Sequence, residues 1–83
     1  MYFVKIDGPE ERWVTWGRWA TDTSEDEGFY ITKNKARACI ISEEYLQDAA
    51  IIRQLESFGT YTKILANEEE VRKHRTRIFV RYI

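Results

Sequence analysis

One cysteine, one histidine and four glycines in 83 residues leave little material for site chemistry. A lone cysteine closes no internal disulfide, and Cys39 lies in the apolar run ACII, where a packed thiol is expected and a reactive one is not. His74, in the basic run RKHRTR, would have to serve any Ser-His-Asp or Cys-His arrangement by itself. A zinc site needs more cysteine and histidine ligands than one of each. The four glycines form neither GxxxxGK[ST] nor GxGxxG, so no phosphate-cradling loop is read. Asp22, Ser24 and Asp26 alternate like the start of a calcium loop, but the glycine falls at the wrong place and Lys33 stands where the bidentate glutamate belongs. The net charge of -1 sets up no field toward nucleic acid or an anionic membrane. No segment approaches the roughly 20 apolar residues of a membrane span, and MYFVKIDG lacks the charged and apolar regions of a leader. The expectation from these absences is a protein without enzymatic activity, cofactor, metal or membrane partner, in a reducing cytoplasmic compartment.

What is present is aromatic volume and strand patterning. Three tryptophans, five tyrosines and four phenylalanines must supply much of the core of so short a chain. Tyr2, Val4 and Ile6 alternate with Phe3, Lys5 and Asp7, a strand pattern that stops at the turn signal DGPEE; Arg12 to Trp19 is its hairpin partner. Residues 21–28, TDTSEDEG, read as a mobile acidic loop. FYIT and ARACIIS read as strands around the turn KNK, the second alternatively as an irregular lead-in. Ser42 caps a main helix over about 43–58, with Tyr45, Ala49, Ile52 and Leu55 as its apolar stripe and Gly59 as its stop. TYTKIL reads as a strand. Asn67 and Glu70 form a capping box for a short helix near 68–74, and RTRIFVRYI closes the chain as a strand. The expected fold is a single α+β domain over 1–83: a small antiparallel sheet of about 4–6 strands, with the main helix on one face.

Three features compete as binding surfaces. The strip RWVTWGRWA alternates, so Trp16 shares a side with Val14 while Trp13 and Trp19 lie on the other. If Val14 and Trp16 face the helix, Arg12, Trp13, Arg18 and Trp19 form an outward contact surface of the residue types that dominate interfaces; the alternative is that the rings only close a small core. Residues 7–27 hold seven acids against two arginines, and Glu25, Asp26 and Glu27 fit docking into a basic groove of a partner. The alternative is a solvated face, or neutralisation across the sheet. Arg75, Arg77, Phe79 and Arg81 share one side of the last strand, a basic patch around an aromatic that would suit nucleic acid or an anionic nucleotide.

The segment GFYITKNKARACIISEEYLQDAAIIRQLESFG resembles a pattern of small phage and prophage accessory proteins: a strand, a KAR segment entering a short strand, a serine-capped helix with acidic first positions, then glycine and another strand. It covers Gly28 to about Leu65 and excludes the tryptophan hairpin. The resemblance implies a compact protein of a class in which some members bind and block a host enzyme or a defence protein, within the host cytoplasm; the acidic residues 25–27 would suit the basic channel of a nuclease. The alternatives are a nucleic-acid or nucleotide binder using the last strand, and a homodimer whose exposed aromatics are its own interface.

Overall fold

The alternation of the first residues makes the central strand, and it needs cover on both sides. In β1 (Tyr2–Ile6), Val4 and Ile6 are buried on one side and Phe3 on the other. The protein is described by a computed structural model covering the backbone of residues 1–20, 25–74 and 78–79 and the side chains of residues 1–17 and 28–74. β2 (Arg12–Ala20) pairs antiparallel with β1 through Lys5↔Trp13 and Ile6↔Arg12, the expected hairpin, and β3 (Glu25–Thr32) pairs along β2 from Trp13↔Thr32 to Ala20↔Glu25. The next segment takes the irregular form: Asn34 caps a 3₁₀ turn at Lys35–Arg37 by accepting from the Ala36 amide at 3.0 Å, and only Ile40–Ile41 (β4) is strand. β4 joins β1 at Tyr2↔Ile41, on the edge whose other end β2 occupies, so that edge is forked. β5 (Tyr61–Leu65) lines the opposite edge of β1, antiparallel, and β6 (Ile78–Phe79) adds to β4 in parallel. The sheet order is β3-β2-β1-β4-β6 with β5 on β1, an α+β fold.

The helical region expected over 43–58 is two helices, α1 (Glu43–Leu46) and α2 (Ala49–Glu56). Asp48 causes the break. In an extended conformation, its carboxylate accepts from the Ala50 and Ile51 amides at 2.9 and 3.4 Å, which starts a new helix instead of continuing the old one. The apolar stripe shifts accordingly: Leu46, Ile51 and Leu55 are buried, whereas Ala49 is exposed. Ser42 caps α1 as expected, and Gly59, at φ 119, takes the left-handed conformation that ends α2. No helix among the described residues is long and apolar enough to cross a membrane.

Two clusters result. On the side of α1 and α2, Val4, Ile6, Val14, Phe29, Cys39, Ile41, Leu46, Ile51 and Leu55 form the larger one. On the other side, Phe3, Trp13, Ala38, Ile40 and Ala66 pack under α3 (Glu68–Lys73). α3 has no buried residue of its own. It is held by Val71, which packs half-buried against this cluster, by its capping box, in which Asn67 accepts from the Glu70 amide at 2.8 Å and Glu70 accepts from the Asn67 amide at 3.2 Å, and by the Lys35–Glu70 ion pair at 3.1 Å. The Asn67 amide, and after it Lys35, holds the Glu70 carboxyl below the usual carboxylate range. His74 pins the end of α3, with Nδ1 3.1 Å from the Ala38 carbonyl and its ring edge-on to Phe3 at 5.1 Å.

Candidate contact surface

The β2–β3 register sorts the strip RWVTWGRWA into two sides. Val14 and Trp16, opposite Ile31 and Phe29, join the helix-side cluster; Trp16 is half-buried with its ring edge-on to Phe29 at 4.9 Å. The expected direction of Trp16 is therefore the observed one. The expected exposure of Trp13 is not: it is only 4% exposed. Its ring meets Phe3 edge-on at 6.0 Å, lies under the Lys35 and Lys5 ammonium groups at 5.2 and 5.7 Å, and its Nε1 donates to Glu11 at 3.0 Å. The physical reason is the second layer. The 3₁₀ turn crosses this side of β2, where the Thr15 hydroxyl donates to the Arg37 carbonyl at 2.7 Å, so β2 is buried on both sides there.

Arg12 is likewise engaged within the fold. Its Nη2 donates to the Asp7 carbonyl at 3.2 Å, which braces the β1–β2 turn. Arg18 and Trp19 lie in β2, and Glu25, Asp26 and Glu27 lie in β3, where a loop was expected; the side chains of these five fall outside the described residues. The acidic residues take the strand because pairing with β2 gives their peptide groups partners, a tertiary gain that overrides their weak strand preference. Arg18 stands opposite Glu27 and Trp19 opposite Asp26, so two features separate in sequence are the two halves of one ribbon. Residues 21–24, the rest of the expected loop, lie outside the described residues. So do Arg75, Arg77 and Arg81; the Phe79 backbone is in β6 opposite Ile41, and its side chain is not described.

One residue was missed by reading the sequence. Tyr30, 43% exposed, leans onto Gly17, which stands directly opposite Gly28. A Cβ on Gly17 would come within 2.7 Å of the Tyr30 ring, so the ring lies where only glycine leaves room. The alignment of the two glycines appears only with the register, though a glycine two places before a tyrosine in GFYIT was its trace. Beyond Val14, whose carbonyl accepts from the Cys39 amide at 3.3 Å, β2 pairs only with β3 among the described residues. The end of the ribbon is thus a two-stranded arm with an exposed aromatic at its base. Cys39 belongs to the helix-side cluster and His74 to the α3 side, so the sheet separates the two groups a thiol–imidazole pair would join. No protein-family model, curated protein or solved structure matches the chain.

Proposed function

We propose that the chain is a non-enzymatic binding protein that covers a functional surface of a larger protein, and that the β2–β3 ribbon makes the contact. The observation that supports this reading is Tyr30, an exposed ring resting on Gly17 at the base of an arm that pairs only with itself among the described residues. A tyrosine with few rotatable bonds contributes contact area at a low entropic cost. The positions that follow along the arm, Arg18 opposite Glu27 and Trp19 opposite Asp26, add residue types that dominate interfaces and charges of both signs. Trp13 and Arg12 drop out of the contact set and serve the fold. The resemblance of residues 28–65 to phage accessory proteins makes a host enzyme or a defence protein the first partner to try.

Affinity capture from a host lysate, with and without nuclease, tests the reading when wild type is compared with Tyr30→Ala and Trp19→Ala. A protein held by wild type regardless of nuclease, and lost from both variants while their melts stay unchanged, is the expected result. Capture that both variants retain removes the arm from the mechanism. Recovery of nucleic acid, lost on replacing Arg77 and Arg81 by alanine, would instead favour binding by Arg75, Arg77, Phe79 and Arg81.

A further inference from the structure

The outer edge of β5 is arranged to pair with itself. At the two ends of the β1–β5 ladder, the Ala66 amide donates to the Met1 carbonyl at 3.0 Å and the Asp7 amide to the Thr60 carbonyl at 2.9 Å. Between them the register runs from Tyr2↔Leu65 to Ile6↔Tyr61. Antiparallel pairs alternate between those that exchange hydrogen bonds and those that do not. Thr62 and Ile64 therefore turn their peptide groups toward β1, while Tyr61, Lys63 and Leu65 turn theirs outward, where no described residue pairs with them. The side chains of this edge are uneven. Leu65 stands 68% exposed at one end, and Tyr61 at the other borders a concavity of about 500 Å³ lined also by Glu56, Gly59 and Thr60.

We propose that this edge binds the same edge of a second copy, antiparallel about Lys63, to give a two-fold dimer with one continuous sheet. In that register all three outward peptide groups meet outward groups: Lys63 meets its own copy, and Leu65 meets Tyr61 of the second copy on both sides of the axis. A slip of one residue would set outward groups against inward ones, and a slip of two would leave an end unpaired. The leucine of each copy then lies beside the concavity of the other, so knob and hollow match twice, as an isologous contact requires. Two lysines at the axis would repel. Each, however, already has the Glu43 carboxylate at 3.6 Å and the Tyr2 ring at 5.2 Å, so two neutralised pairs meet there. The contact is independent of the β2–β3 arm, which lies beyond the other edge of β1.

Sedimentation over a concentration series should approach twice the 10.0 kDa chain mass. Leu65→Asp, at an exposed position that leaves the melt of the dilute monomer unchanged, should weaken the dimer by about tenfold or more, which corresponds to about 1.4 kcal/mol. Lys63→Cys should oxidise with copper phenanthroline to a covalent dimer, because hydrogen-bonded opposite residues lie within disulfide reach. Thr62→Cys, which faces Ile64 of the second copy and not itself, should cross-link far more slowly. A wild-type chain that stays monomeric throughout, a dimer indifferent to Leu65→Asp, or equal cross-linking of the two cysteine variants would each overturn the proposal.

Discussion

On the α1–α2 side the sheet is closed by aliphatic burial, with Val4, Ile6, Ile41, Leu46, Ile51 and Leu55 around Phe29. On the α3 side, two aromatic rings, Phe3 and Trp13, lie under lysine ammonium groups and a helix that buries none of its own residues. The first side resists opening through the larger apolar area removed from water, rimmed by Tyr2, Trp16, Tyr45, Phe58 and Tyr61, the second through two large rings stacked edge to edge and a few polar pins. The difference teaches that a short chain can close a second face without a second amphipathic helix of full length, provided that large rings fill the volume.

The sharpest way to break the comparison is to remove one anchor from each side. Trp13→Ala should destabilise by about 3–5 kcal/mol and Leu55→Ala by about 2–5 kcal/mol, since both leave cavities among fully packed neighbours. Chemical melts of the two variants check this, and a Trp13→Ala protein that melts like wild type would remove the α3 side from the core. Trp16→Ala, at the half-buried margin of the helix side, should cost less, about 1–3 kcal/mol. A larger loss than for Trp13→Ala would invert the assignment of the two rings.

Asn67→Ala sharpens the claim that polar groups share with Val71 in holding α3. Losing the cap should cost about 1 kcal/mol, and hydrogen exchange should show residues 68–73 opening first while the amides of α2 keep their protection. Equal loosening on both faces would mean that α3 is not held independently.

Acid separates the pins from the apolar contacts. The Glu70 carboxyl is held below its usual range first by the Asn67 amide, and the Glu43 carboxyl first by the Tyr2 hydroxyl and then by Lys63. Both groups are depressed in the folded state, so their stabilisation is present above the ordinary carboxylate pKa and disappears as pH falls through the lowered values. Glu70→Gln and Glu43→Gln should each flatten that acid limb in urea melts across pH. Salt should weaken the lysine share and spare the part due to the neutral donor that leads in each case. A limb that salt abolishes would contradict this order of causes.

The smallest expected effect lies beyond both faces. Tyr30→Ala should change stability by about 0.5 kcal/mol or less, as for other exposed positions. With Tyr30 removed, Gly17→Ala should cost less than it does alone, since the added methyl meets that ring first. Additive losses in this double-mutant cycle would show that the ring does not rest on the glycine.

Much of the scaffold was legible in the sequence because it rests on local physics. Strand alternation made β1, β2 and β5, the Asn67–Glu70 spacing made the α3 cap, and glycine ended α2. Asp48 was legible in principle, as a strong capping residue inside an apolar run, but Ser42 offered the same signal earlier and the two caps competed for one helix. The contact residues were less legible. Periodicity tells which side chains share a face of a strand, and it correctly grouped Trp16 with Val14 and separated Trp13. It does not tell how many layers cover the sheet, so Trp13 passed for a surface residue until α3 and the 3₁₀ turn were seen over it.

By itself, then, the sequence determined the α+β class, the hairpin, the caps and the parity of each strand, all of which depend on neighbours a few residues away. The tertiary structure decided which parity faces solvent, that Gly17 stands opposite Gly28 and beneath Tyr30, that the acids stand across from the Trp–Arg strip, and that β5 is left with one outward edge among the described residues. Those are facts of register and layering, set by packing between residues far apart in the chain, and no local preference encodes them.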